Sequence, residues 1–225
     1  MNPERFRKLR RTLDRRQWDL TVVMDRVHKP HNLSAILRNA DAVGVLEVHA
    51  VPMEGRISVP HQTSAGSARW VDVRTHGSAE EAIGFLQERR FQVLAAHPSP
   101  EAWDYREVDL TRPTAFLVGQ ELKGLDRTAR ERVDGHVSIP MVGMVSSLNV
   151  SVATSLLLYE AFRQRERRGY YRTRRLPEDL YRARLFEWAY PEAARRLKAA
   201  GKPYPELTED GTIDSGSGES IPVMG

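Results

Sequence analysis

The spacing of hydrophobic positions changes several times along the chain, and each change marks an element. Phe6, Leu9 and Leu13 recur at helical spacing among basic residues, which predicts a helix over 4–16 with one thin apolar stripe. Residues 20–24 are a short β-branched apolar run. Over 32–43, Leu33, Ile36, Leu37, Ala40 and Val43 share one helical face, with Asn32 at the N-cap position and Gly44 suited to the stop. Residues 45–51 and 70–75 alternate as strands. Ser78, Ala79, Glu80 and Glu81 form a capping box opening a helix to about Arg89, and 91–96 is a third β-rich run. Further on, 114–118 reads as a buried strand ending at Gly119, 126–133 as a short helix and 136–140 as a last strand. A long helix starts near Ser147 and runs to about Arg168, with Val152, Leu156 and Tyr159 as its buried stripe and Gly169 as its stop. Another, over 178–200, carries Leu180, Leu185, Trp188 and Leu197. Strands alternating with helices in this way predict an α/β layered domain with a mainly parallel sheet.

A chain of 225 residues accommodates one such domain plus extensions. The divisions fall at a basic N-terminal helix (1–19), the α/β domain (20–168), a helical extension (169–205) and an acidic tail (206–225). The tail holds five acids and no basic residue, and is predicted to be disordered because it buries too little apolar surface.

Charge changes the picture more than composition does. The net charge is +4, but residues 1–16 carry seven basic and two acidic groups, and residues 163–175 carry seven Arg and one Glu. Two basic segments on an otherwise acidic body are the footprint of a polyanion-binding protein, and Tyr170 and Tyr171 beside the second run suit stacking on RNA bases. The absence of Cys removes disulfides and thiolate metal sites, and points to a reducing compartment. With no apolar leader and no run long enough to span a bilayer, the expectation is a cytoplasmic protein with no membrane partner.

Most familiar motifs fail. Gly119 and Gly124 have P-loop spacing, but Leu125 and Asp126 stand where Lys and Ser/Thr are needed. No GxGxxG follows a strand, and no GxSxG occurs. His28 and His31 flank Pro30 and lack a third ligand, so no metal is expected. What survives is a set of polar residues at element boundaries: Asn32 and Arg38, Glu121, then Ser147 and Asn149. Capping or solvation explains each one singly. Together they concentrate around three loops, 28–32, 119–124 and 140–149, each leaving the C-terminal end of a predicted strand, where ligands collect in α/β sheets.

These segments, VHKPHNLSAILRNADAVGVLEVHAV, FLVGQELKG and IPMVGMVSSLNVSVA, closely resemble the three motifs of the TrmH branch of the SPOUT methyltransferases. The basic N-terminal helix, the Arg-rich stretch and YPEAARRLKAAGKPYP also fit, so the resemblance covers about residues 1–207. It implies a parallel α/β sheet with a deep C-terminal trefoil knot, S-adenosylmethionine as cofactor and a homodimer paired through the knot region. It further implies transfer of a methyl group to a ribose 2'-hydroxyl of a guanosine in tRNA, at position 18 of the D-loop. Ribosomal RNA as substrate, or a catalytically silent RNA-binding protein of this fold, are the alternatives. Many ribosomal relatives carry a larger N-terminal domain, and the intact polar set argues against silence.

Carried over by the resemblance, the cofactor contacts fall at Ala96, Gly119, Ile139 and Leu148, and the catalytic set is Arg38, Asn32, Glu121, Ser147 and Asn149. The family often has Thr where this chain has Ala96, which leaves a backbone contact there. Arg38 is expected to grip the phosphate beside the target ribose and promote loss of the hydroxyl proton, with Asn32 orienting Arg38 or the ribose.

Overall fold

The structure, a computed structural model, describes residues 2–53, 69–120 and 124–214. Its helices and strands are numbered in chain order. The chain divides into two compact units, Gln17–Tyr171 on one hand and Met1–Arg16 with Arg172–Gly225 on the other. The two terminal segments, expected as separate flanks, thus belong to one unit.

In that terminal unit α1 (Pro3–Leu13) is capped by Asn2, whose side chain accepts from the Glu4 N–H, and Phe6, Leu9 and Leu13 are buried as their spacing requires. The segment 178–200, read as one helix, is two: α6 (Glu178–Ala189) and α7 (Pro191–Ala199). Pro191 has no N–H to continue the ladder, and Tyr190 turns away from helical geometry at φ −133° and ψ 64°. The acidic segment also departs from expectation. Leu207 bridges Ile213, the Tyr190 hydroxyl donates to the Gly211 carbonyl at 2.7 Å, and Gly211, at φ 86°, lies so close to Phe6 that a Cβ would meet its ring at 2.4 Å. Residues 206–214 are therefore placed by apolar and aromatic anchors that a count of acids does not reveal; the rest of the tail lies outside the described residues.

The larger unit is a seven-stranded sheet of β1 (Leu20–Asp25), β2 (Glu47–Val51), β3 (Asp72–Thr75), β4 (Gln92–Ala96), β5 (Trp103–Asp104), β6 (Thr114–Val118) and β7 (Gly135–Ser138). Its order is β3-β2-β1-β6-β4-β7-β5, and all neighbours run parallel. β1 and β6 are buried along their whole length, which is why they read as unbroken apolar runs. Side chains alternate between two cores: Val22, Met24, Phe116 and Val118 face α2 (Pro30–Ala42) and α5 (Val150–Arg167), while Val23, Ala115 and Leu117 face α3 (Ala79–Glu88) and α4 (Arg127–Arg132). β5, two residues long, has no pattern to find; it is held by pairing Trp103 with Val137, and the Trp103 ring covers Gly135 so closely that a Cβ would come within 2.3 Å. Among the described residues no helix is long and apolar enough to cross a membrane.

The long helix differs from expectation at its start and on its buried face. Asn149, not Ser147, is its N-cap, accepting from the Ser151 N–H at 2.9 Å. The buried stripe is Val150, Thr154, Leu157, Leu158, Glu160, Ala161 and Arg165, while Val152, Leu156 and Tyr159 are 48%, 38% and 50% exposed. The polar side chains on the inward face are hydrogen-bonded, so their burial leaves them satisfied. Thr154 donates back to the Val150 carbonyl at 2.7 Å.

Arg165 is fully buried. Its guanidinium donates to Asp19 Oδ1 at 2.6 Å, the Gln17 amide oxygen at 3.3 Å, and the carbonyls of Leu110, Asp19 and Arg112 at 2.9, 3.0 and 2.8 Å. Tyr171, expected to stack on RNA, is also committed: its hydroxyl donates to the Val43 carbonyl at 2.8 Å and its ring packs on Phe162 at 4.9 Å. Removing one partner of a buried, fully bonded charge pair strands the other. Arg165→Ala is accordingly expected to lower the unfolding free energy by about 3–5 kcal/mol in urea titration, whereas Arg127→Ala, which breaks an exposed pair with Glu131, lowers it by less than about 1 kcal/mol. Equal losses would contradict this assignment.

Candidate functional site

Because every strand points the same way, the loops after β1, β4, β6 and β7 gather on one edge of the sheet. α2 begins beside this edge. Lys29 is its N-cap and Pro30, whose fixed φ suits a first helical position, starts the helix. Asn32 is therefore not the cap, as its place in the sequence suggested, but a residue of the first turn, 1% exposed, with its side chain turned inward.

Asn149 reaches it from the other side. Its Oδ1 accepts from the Ser151 N–H at 2.9 Å and from the Ser151 hydroxyl at 2.7 Å, while its Nδ2 donates to Asn32 Oδ1 at 3.1 Å. One amide thus caps α5 and ties it to α2. A second tie lies two turns along, where Asn39 donates to the Ser151 carbonyl at 3.3 Å. Asn39 was missed in the sequence. The available signal was its seven-residue spacing from Asn32, which puts both on one helical face.

The structure brings Asn32 and Asn149 together and leaves Arg38 exposed on the outer side of α2. Ser147 is exposed in the loop before α5. Glu121 lies outside the described residues.

Three of the four expected cofactor contacts, Ala96, Ile139 and Leu148, line one pocket of about 110 Å³ at this edge, together with Ser147. Gly119 is not in its wall. It stands at the neck of the loop after β6, where a Cβ would meet the Gly124 backbone at 2.5 Å and Gln120 bridges Gly124, so loop closure alone demands glycine there. A larger cleft of about 530 Å³ lies in the terminal unit among Arg10, Arg174, Glu178, Tyr181, Arg182 and Glu206. It holds none of the candidate residues, and its mixed charges mostly pair with one another, so size does not make it the site.

The smaller pocket has the right chemistry for S-adenosylmethionine. Val137, Ile139, Leu148 and Leu157 give apolar walls for a purine, and the strand ends beside them offer backbone polar groups. Its one titratable wall residue is His97, whose Nε2 lies 3.0 Å from Arg130 Nη1. A guanidinium only donates, so His97 accepts there and carries its proton on Nδ1. Burial, then Arg130 and His136, push the His97 pKa down and keep the ring neutral, so it does not repel a sulfonium. Sequence reasoning overlooked His97, although it follows Ala96 directly.

The chain is similar to known proteins in both sequence and structure. Residues 19–159 match the model of the SpoU rRNA Methylase family, and residues 163–216 match the model for SpoU, rRNA methylase, C-terminal. The chain is 48% identical over 217 residues to the tRNA (guanosine(18)-2'-O)-methyltransferase of Escherichia coli (strain K12), covering 96% of this chain and 95% of that protein. It is 51% identical over 184 residues to the protein of the same name from Thermus thermophilus, covering 82% and 95%. The structure resembles the crystal structure of the A. aeolicus TrmH/SpoU tRNA modifying enzyme with a TM-score of 0.79 at 41% identity, covering 84% of this chain and 96% of that one. It also resembles the SpoU methyltransferase AviRb from Streptomyces viridochromogenes in complex with AdoMet, with a TM-score of 0.60 at 32% identity, covering 68% and 62%.

Proposed function

Because this chain belongs to the SpoU rRNA methylase family, we propose that it methylates the ribose 2'-hydroxyl of guanosine 18 in tRNA. When bound, S-adenosylmethionine supplies a methyl group already activated on a sulfonium. The observation that carries the reading is the Asn149–Asn32 bond beside the pocket of Ala96, Ile139 and Leu148, which joins two of the three motif loops at one sheet edge. tRNA is preferred to ribosomal RNA because the relatives that match nearly end to end are named for guanosine 18 of tRNA. With a tRNA substrate, the location proposed for the enzyme is the cytoplasm.

With the methyl donor activated, the protein's main task is alignment, which can supply roughly 7–11 kcal/mol. Through their mutual bond, Asn32 and Asn149 fix the start of α5 against α2 beside the pocket mouth, where the ribose is to be aligned, and Ser147 shapes that mouth. Arg38, exposed, presents a planar guanidinium fork to the adjacent phosphate. Its charge favours the alkoxide form of the hydroxyl. Glu121 belongs to the same proposed set, Gly119 supports the cofactor through its loop, and the return of the chain through β7 into α5 is read as the trefoil knot. The phosphate backbone is taken by exposed groups: Arg5, Arg7, Lys8, Arg10 and Arg11 of α1, and Arg167, Arg168 and Arg172.

The homodimer has its own support. Val142, Met144 and Val145 are exposed at 105%, 103% and 63%, and Val152, Leu156 and Tyr159 continue this apolar surface along α5. A second copy of the chain is the proposed cover, since such patches mark interaction sites.

Incubation with labelled S-adenosylmethionine and unmodified tRNA, followed by nuclease mapping, is expected to place the label on 2'-O-methylguanosine at position 18, and Arg38→Ala to slow single turnover by at least about a hundredfold. Label elsewhere, label only on ribosomal RNA, or near-wild-type rates for Arg38→Ala would refute the reading. Light scattering is expected to show a dimer for the wild type and a monomer for Leu156→Glu. A monomeric wild type would remove the interface.

A further inference from the structure

Arg26 follows β1 directly and adopts φ 53°, a left-handed conformation that a residue with a side chain avoids. Among the described residues only Arg90 shares this among non-glycines, and Arg90 sits just past the end of α3, where a left-handed residue commonly stops a helix. Arg26 has no such role. Its guanidinium instead forms a two-pronged pair with Asp25, at 3.0 and 2.9 Å, and reaches Asp126 at 2.5 Å.

Asp126 gives something up for the same contact. It occupies the N-cap position of α4, where an aspartate ordinarily accepts from the helix's first N–H groups, yet its side chain makes no capping bond. The Asp25 side chain is 1% exposed and that of Asp126 is 57% exposed, so the bridge runs from the buried end of the central strand to the surface loop beyond β6. Two local preferences are set aside to make one link. Strain and forgone caps of this kind concentrate where a site must be held in place.

The two segments linked leave the C-terminal ends of β1 and β6 at the same sheet edge as the pocket, although neither supplies its wall. One leads from Asp25 into the 28–32 loop and Asn32; the other contains Gly119, Gln120, Gly124 and Leu125. We infer that Arg26 is a positioning residue: by gripping Asp25 and Asp126 together, it fixes the loop after β6 against the end of β1 and so sets the geometry in which the cofactor is bound. The inference rests on the reading that the loop beginning at Gly119 contributes to the cofactor site.

Asp126→Ser separates positioning from stability, because serine restores a good N-cap while removing the ion pair. Calorimetry on the full chain would measure binding of S-adenosylmethionine and of S-adenosylhomocysteine, whose sulfur is uncharged, with thermal unfolding followed in parallel. Asp126→Ser is expected to weaken both ligands by about tenfold with a melting temperature equal to or above that of the wild type, and Asp126→Glu, which keeps a carboxylate, to recover most of the affinity. The inference is overturned by unchanged affinity in Asp126→Ser, by a loss confined to the cationic ligand, or by no recovery in Asp126→Glu. A wild type that binds neither ligand would instead overturn the cofactor reading.

Discussion

Arg165 fastens the far end of α5 to the N-terminal edge of the sheet, and the site at the opposite edge depends on it. Its partners Asp19, Leu110 and Arg112 lie just before β1 and β6, the two central strands. From there α5 spans 18 residues, or about 27 Å at the usual rise, to the strand ends where ligands bind. With one end held by a buried guanidinium whose donors are used, the other end has a fixed address. That address is where Asn149 meets Asn32. The same geometry decides which face of α5 is left over: Arg165 is drawn inward by the bonds it makes there, Thr154 and Glu160 share its face, and the apolar Val152, Leu156 and Tyr159 are turned outward.

The fold was legible wherever burial on both sides of a strand, or on one stripe of a helix, left an apolar signature. β1, β6, α1 and the inner face of α2 are of this kind. Reading failed where burial was decided by bonding. Nothing in the residue type of Arg165 says that five acceptors wait for it, so apolar α5 residues were assigned inward and the wrong stripe resulted. It failed again where local chemistry overrode a period. Pro191 divides a run that continues as one pattern, and Gly211 with Leu207 and Ile213 folds a segment whose acids suggested disorder.

The candidate site was legible mainly as three motifs and only partly as physics. Spacing alone located the loops but misplaced Asn32 as a cap, because Pro30 starts the helix two residues earlier. It did not reveal Asn39 or His97, or the bridge from Arg26 to Asp126, each of which depends on a partner far away in sequence. Charge was similarly only partly legible. Of the Arg-rich stretch, Arg165 is structural, Arg163 pairs with Glu160 and Arg174 with Glu178, leaving a smaller basic surface for RNA than the tally of arginines suggests.

The account turns on the Asn32–Asn149 bond as the unit that assembles the site. Its most direct test is single-turnover methylation of unmodified tRNA by Asn32→Ala, Asn149→Ala and the double variant, at saturating cofactor. If the two amides act as one unit, each single variant slows the reaction by about tenfold or more, and the double is no slower than the slower single. Losses that multiply in the double variant would show two independent residues and contradict the account.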